Sequence, residues 1–409
     1  MSNRNIYNAW INIRQFIKNT PLILSERLSS KYNANIYLKR EDLQLTRSFK
    51  IRGSYNKISN LSKMDINRGL VCASAGNHAQ GFAHICNKLD INGKIFLPKN
   101  TPAQKINRIK YFGKSNTKIK LIGNTVDESL DEAINYSDIN NKTFIHPFND
   151  EHIIYGQGTI GHEIYEKIKP DIILSCIGGG GLISGLSNYL HENNLKCDLY
   201  GCEPDLASSM IEAIKYGQPT KLKNISTFVD GASVSIVGDI PFRLLKNNLV
   251  DIFPIDEGEI CNELLQIYQE DGIILEPAGA LPICGINKIK NIENKTIVCI
   301  LSGGNNDITR YPEIIEKNMV FLGLQHYYII DFNQNPGQLK KFVNNILGPY
   351  DDITRFEYIK KTNKDYGNVL IGIQVSDKYN IDNIENNLIE YNFNYKKINQ
   401  DDLIYSYLI

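Results

Sequence analysis

From about residue 35 to residue 301 the chain repeats one theme, and that theme restricts its fold more than any other feature. Short β-prone runs (NIYLKR, GLVCAS, KIFLPK, TKIKLIG, TFIHPF, DIILSCIG, DLYGCEP and NKTIVCILSG) alternate with amphipathic stretches of helical period. Phe82, Cys86 and Leu89 fall at i, i+4 and i+7 of one such stretch, and Leu130 and Ile134 share a face of DESLDEAINYSDI. Strands that each feed a helix must pair in parallel and be covered on both faces, which predicts doubly wound α/β sheets. Ligands of such sheets sit beyond the carboxyl ends of the strands, so the segments that follow each strand are where chemistry is to be sought.

The pattern changes after about Leu322. HYYIIDFN, QLKKFVNNIL, DDITRFEYIKK, GNVLIGIQV, IDNIENNLIEY and FNYKKIN read as β, α, β, β, α, β, a small ferredoxin-like fold. The boundary is expected within residues 315–325, with a catalytic portion spanning 1–320 and the second domain 325–399.

Lys plus Arg and Asp plus Glu both number 45, so no net field points to nucleic acid or an anionic membrane. Small molecules are the expected partners. The eight cysteines (72, 86, 176, 197, 202, 261, 284 and 299) form no CxxC pair and sit largely in apolar runs, which suits a reducing cytoplasm. MSNRNIYNAWINIRQ lacks the apolar core of a signal peptide, and no segment reaches the apolar length of a membrane span.

Three strand ends carry polar turns. DIILSC runs into Gly178, Gly179, Gly180 and Gly181 and then into a helix beginning near Leu182, an arrangement in which free backbone N–H groups and a helix N-terminus converge on an anion such as phosphate. No Lys-Ser or Lys-Thr follows, as a Walker loop requires, and Ile183 stands where a dinucleotide loop places its third glycine. A plain tight turn is the structural alternative. Ser74, Ala75, Gly76, Asn77 and His78 form a second polar turn at a helix start, equally readable as a capped terminus. Ser302 ends the apolar strand of TIVCILSGGNND. Lys50, near the start of a helix with Ile51, Tyr55 and Ile58 on one face, adds an amine that a helix N-terminus disfavours in its charged form and so leaves able to form a Schiff base.

KREDLQLTRSFKIRG, ASAGNHAQG, IGGGGLISG, GCEP, EPAGA and LSGGNND, in that order, resemble the pyridoxal-phosphate enzymes of the tryptophan synthase β-like fold (fold type II), and among them the threonine dehydratases. The resemblance spans roughly residues 5–320 and implies a two-subdomain fold with a smaller subdomain of about 46–150. The C-terminal segment is similar to the ACT-like regulatory domain of the biosynthetic enzyme in its short form. On this resemblance Lys50 is the lysine that binds pyridoxal 5'-phosphate and the catalytic base, and Phe49 is the aromatic beside it. Asn77 bonds the cofactor's 3-hydroxyl, 178–182 hold its phosphate, Ser302 faces the pyridine nitrogen, and Glu276 of EPAGA lies near the cofactor. The Ser74–His78 turn holds the substrate carboxylate.

The implied reaction is conversion of L-threonine to 2-oxobutanoate and ammonia, the first step of isoleucine biosynthesis, with L-serine as a second substrate. Isoleucine and valine are the implied effectors, a homotetramer the implied assembly, and Asn335, Pro336 and Gly337 the candidate regulatory turn. Some related racemases and dehydratases hold a divalent metal beside a segment like GCEPDLASSM; Ser209 stands here in place of an acid, so no metal is expected. Three other readings stay open: a catabolic serine/threonine dehydratase or serine racemase, an NAD(P)-dependent dehydrogenase, which requires a GxGxxG pattern this chain lacks, and a non-catalytic amino-acid sensor.

Overall fold

The computed structural model describes residues 4–359, 365–399 and 402–408. Two compact units divide at Asp307/Ile308, so the helix Tyr311–Phe321 belongs to the second unit rather than to the first, earlier than the boundary read from the sequence.

Among the described residues the first unit contains ten strands: β1 (Leu22–Leu24), β2 (Asn35–Arg40), β3 (Leu70–Ala73), β4 (Gly93–Leu97), β5 (Thr117–Leu121), β6 (Thr143–Phe144), β7 (Ile172–Cys176), β8 (Asp198–Pro204), β9 (Asp251–Ile255) and β10 (Thr296–Leu301). They form a six-stranded sheet in the order β1-β2-β10-β7-β8-β9 and a four-stranded sheet in the order β5-β4-β3-β6. Every pairing is parallel except β1 with β2. The two doubly wound sheets are those expected of a fold type II enzyme. β7 shows why its sequence is continuously apolar: all five residues are buried, as the centre of a sheet covered on both faces requires. β1 and β9 are additional to the strands read from the sequence. β1 is three residues long, and β9 is a half-exposed edge, so neither carries a strong periodic signal.

The helix Lys50–Ser59 packs Ile51, Tyr55 and Ile58 into the core of the four-stranded sheet with Cys72, Phe82 and Ile95. Its opposite side is pinned by charge. Arg52 is fully buried and donates to Glu41 (2.8 Å) and to Glu163 (2.7 Å), while buried Lys39 also meets Glu163 (2.5 Å). Burial works against the Arg52 charge, but Glu163 and Glu41 outweigh it and keep the guanidinium protonated.

The second unit has β11 (Gln325–Asn333), β12 (Asp352–Tyr358), β13 (Tyr366–Gln374) and β14 (Tyr395–Ile398) in one antiparallel sheet of order β12-β13-β11-β14. Helices Gln338–Asn345 and Asn380–Glu390 complete a βαββαβ order, and their Phe342, Ile384 and Leu388 bury against Tyr328, Ile330, Phe332, Val369 and Ile371. The end of the expected strand DDITRFEYIKK, residues 360 and 361, lies outside the described residues. Among the described residues no helix is long and apolar enough to cross a membrane.

Candidate active site

The segment before Lys50 is stitched to the turn that follows β10. Ser48 bridges Gly303, the Phe49 N–H donates to the Ser302 carbonyl (3.1 Å), and the Gly304 N–H donates to that of Arg47 (2.9 Å). Lys50 therefore opens its helix beside the carboxyl end of the central sheet. Its Nζ donates to the Pro147 carbonyl (3.1 Å) and lies 5.2 Å from the Phe49 ring centroid and 5.9 Å from that of Phe148. Burial lowers the amine to about 8, with Cys176 and Glu276 opposing the shift. Withdrawal from water, rather than the helix terminus argued from sequence, accounts for the lowering.

β3 delivers the Ser74–His78 turn to the same place. Asn77 begins the helix Asn77–Lys88 and donates through Nδ2 to both oxygens of Glu276 (2.7 and 2.9 Å). Burial, then the charge of Asp230, pushes the Glu276 carboxyl up to about 7. His78 is turned the other way: its Nε2 meets the Ile145 carbonyl at 3.0 Å and its Nδ1 the Ser54 hydroxyl at 3.4 Å. Burial and then Lys50 lower it to about 3, so the ring is neutral and both nitrogens are engaged in the wall.

The glycine run leaves β7 and enters the helix Gly181–Glu192. The N–H groups from 178 to 183 reach no backbone carbonyl among the described residues, which leaves six consecutive donors for an anion. The absence of side chains has a packing cause as well. A Cβ on Gly178 would lie 2.9 Å from the Ala232 backbone, and Gly180, at φ +89°, would place one 2.6 Å from Pro241 Cβ. At Gly179 it would enter the Phe148 ring. Ser302 is buried, and its hydroxyl meets no nitrogen or oxygen partner among the described residues, with only the Cys176 thiol beside it.

A cavity of about 220 Å³ brings together the Lys50 amine, the Ser74–His78 turn, Gly179 of the glycine run and Glu276. Lys50, Ser74, Ala75, Gly76, Asn77, His78, Gly179 and Glu276 line it, whereas Phe49, Gly178, Gly180, Gly181, Leu182 and Ser302 do not. Pro147, Phe148, Lys105, Asp230 and Asn305 also line the cavity and were missed from sequence. The strand end TFIHPF could have pointed to Pro147 and Phe148. Lys105 and Asp230 form an ion pair between residues 125 positions apart, for which the sequence holds no signal. A wider cleft of about 540 Å³, lined in part by Lys18, Arg40, Arg47 and Arg108, contains none of the candidate residues. The smaller cavity is the candidate site because convergent polar groups and shifted titrations meet there. In the second unit, Asn335, Pro336 and Gly337 form the exposed turn after β11, with Gly337 at φ +92° and the Asn335 N–H donating to Asn333 Oδ1 (3.1 Å).

Residues 13–303 match the family described as pyridoxal-phosphate dependent enzyme, and residues 316–408 match the C-terminal regulatory domain of threonine dehydratase. A biosynthetic L-threonine dehydratase, IlvA, of Halalkalibacterium halodurans is 47% identical over 400 residues, covering 97% of this chain and 96% of its own length. The chain belongs to the threonine dehydratase family of pyridoxal-phosphate dependent enzymes. The same enzyme of Staphylococcus epidermidis is 46% identical over 416 residues, covering all of this chain and 99% of its own. Among solved structures, processed threonine deaminase isoform 2 of Solanum lycopersicum has a TM-score of 0.71 at 34% identity, covering 78% of this chain and 94% of that one. A maize serine racemase has a TM-score of 0.71 at 26% identity, with coverage of 78% and 97%.

The cofactor of this family fits the residues present. Pyridoxal phosphate requires an amine able to lose its proton, donors for a phosphate, a polar partner for a ring oxygen and one for a ring nitrogen. The lowered amine of Lys50, the N–H groups of the glycine run that reach no backbone carbonyl, the Asn77 amide and the buried Ser302 hydroxyl are of those kinds.

Proposed function

We propose that the first unit converts L-threonine to 2-oxobutanoate and ammonia, and that the second adjusts that activity to the supply of a branched-chain amino acid. The observation that carries the catalytic reading is the Lys50 amine, lowered to about 8, facing a cavity at the carboxyl ends of the sheets. When bound, pyridoxal phosphate supplies the electron sink that makes the α-hydrogen of an amino acid acidic. Lys50 would hold the cofactor and would take the substrate's α-proton on Nζ; lowered to about 8, its amine gives up its own proton more readily than an exposed lysine does. The N–H groups from Gly178 to Leu182 bind the phosphate, and Phe49 lies beside the amine. Asn77 donates to the ring oxygen. The Ser302 hydroxyl, uncharged, would face the ring nitrogen and, unlike a carboxylate, would not favour a proton on it. The N–H groups of the Ser74–His78 turn hold the substrate carboxylate, with neutral His78 serving the wall rather than the substrate.

The regulatory reading rests on the match of residues 316–408 and on the βαββαβ unit they form. Isoleucine acts as inhibitor and valine opposes it, each binding two conformations with different affinity. We assign the Asn335–Gly337 turn to the effector site, and the assembly to a homotetramer working in the cytoplasm.

Purified protein is expected to carry a visible absorption band that Lys50→Ala abolishes, and to form 2-oxobutanoate from threonine and pyruvate from serine. Saturating isoleucine lowers the rate and valine restores it. Protein that takes up no pyridoxal phosphate overturns the catalytic reading, an isoleucine-insensitive enzyme overturns the regulatory one, and light scattering checks the tetramer.

A further inference from the structure

One wall of the cavity carries a chain of hydrogen bonds whose direction is fixed at one end. The Thr46 carbonyl can only accept, and it lies 2.9 Å from Asn305 Nδ2. The same nitrogen donates to Asn77 Oδ1 at 2.8 Å. With its oxygen used there, Asn77 turns its Nδ2 toward the two oxygens of Glu276. Amide oxygen and nitrogen are ordinarily told apart only by their partners. Here reversing Asn305 would set two carbonyl oxygens against each other, and reversing Asn77 would aim a carbonyl at a carboxyl group. The backbone at Thr46 thus dictates which end of Asn77 is a donor, two residues away along the chain of bonds.

We infer that Asn305 is a positioning residue that, by anchoring Asn77 Oδ1 to the Thr46 backbone, keeps the Asn77 N–H group turned to the cavity, so that the ring oxygen of a bound pyridoxal phosphate meets a donor. The inference rests on the reading of Asn77 as the residue beside that oxygen. A donor favours the ionised oxygen, whereas a carbonyl in its place would disfavour it. Asn305 touches neither substrate nor cofactor in this role. It acts through Asn77.

Asn305→Asp keeps the shape but offers only acceptors when ionised, so the Asn77 amide reverses to give its N–H to the new carboxylate. Asn305→Ala removes the anchor without reversing the amide, and Asn305→Ser restores a hydroxyl donor. For each holoenzyme the visible band is titrated with pH, and for each apoprotein pyridoxal phosphate is titrated in by fluorescence quenching, with the apoprotein melting temperature as a check on folding. Asn305→Asp is expected to move the midpoint of the band by about one pH unit and to weaken the cofactor about tenfold. Asn305→Ala shifts both in the same direction by less, and Asn305→Ser lies nearer to wild type. In an Asn77→Ala background the differences among the variants vanish. A folded Asn305→Asp with the wild-type midpoint and cofactor affinity overturns the inference. Should Asn305→Asp not fold, equal values for the Ala and Ser variants overturn it instead. A wild-type protein that binds no pyridoxal phosphate fails the proposed function itself, a result distinct from either.

Discussion

The amine of Lys50 lies 3.1 Å from the Pro147 carbonyl oxygen, and the turn that presents that carbonyl is held by a histidine. His146 Nδ1 accepts the N–H groups of Phe148 (3.2 Å) and Asn149 (2.8 Å), so that nitrogen bears no proton. Burial, and then Lys50, lowers His146 to about 4 and keeps the ring neutral across the working range. The acceptor for the amine is therefore supplied by backbone and steadied by a ring that does not titrate near it.

The lowered amine sets a pH dependence with a definite sign. Only the neutral amine attacks an aldehyde, so uptake of pyridoxal phosphate by the apoprotein accelerates as pH rises, with a midpoint near 8. Stopped-flow absorbance between pH 6.5 and 9.5 checks it, and a midpoint above 10 would mean that burial does not act on Lys50. Lys50→Ala lowers turnover by about three orders of magnitude or more, since it removes both the attachment point and the base.

Glu276 gives a prediction of opposite slope. Its carboxyl is raised to about 7 in the folded protein, against the ordinary 4.5 of an exposed glutamate. Between those values the folded state holds a proton that the unfolded state has lost, so this group's contribution to stability is full below pH 4.5 and disappears as pH rises through 7. The span is on the order of 3 kcal/mol. Melting of the apoprotein from pH 4.5 to 7.5 should fall more steeply in the wild type than in Glu276→Gln. Parallel curves would show that Glu276 titrates normally.

The architecture was readable, and several segments that line the cavity could be named, because both rest on local pattern. The burial of β7 on both faces is written in IILSC, and the turn after it in four glycines. What the sequence withheld are relations that only folding creates. Pro147 takes part through a carbonyl, which any residue type supplies, in the turn that follows the two-residue strand β6. Asn305 lies within the noticed motif LSGGNND, but its bond to Asn77 joins residues 228 positions apart. The sequence assigned the lowering of the Lys50 amine to a helix terminus, whereas burial carries it in the fold, and burial is not visible in a residue's neighbours along the chain.

The glycine run gives a third prediction. Gly178→Ala would press a methyl group to 2.9 Å from the Ala232 backbone, which has no rotamer by which to withdraw. The loop must shift, costing about 1–3 kcal/mol in stability and spoiling the alignment of its donors. Cofactor affinity is expected to fall about tenfold or more, measured by equilibrium titration of the apoprotein, with threonine turnover recovering at high pyridoxal phosphate. Unchanged affinity would place the phosphate elsewhere.

Arg52 provides the fourth, which concerns what holds the Lys50 helix in place. Its guanidinium is wholly buried between Glu41 and Glu163, with a further bond from Nη1 to Thr159 Oγ1 (3.2 Å), and the neighbouring Lys39 shares Glu163. Two cations and two anions balance there, all four buried. Arg52→Met removes one cation of similar length and leaves two carboxylates with Lys39 alone, so the apoprotein should lose about 3–5 kcal/mol in urea unfolding. Glu163 is held below its ordinary value, against the cost of burial, chiefly by Arg52. The variant should therefore regain part of its stability as pH is lowered and that carboxylate takes a proton. Restoring the charge with Arg52→Lys recovers less than half of the loss, because a single ammonium cannot meet both carboxylates as the forked guanidinium does. Full recovery by lysine would show that charge alone, without the fork, fixes this helix.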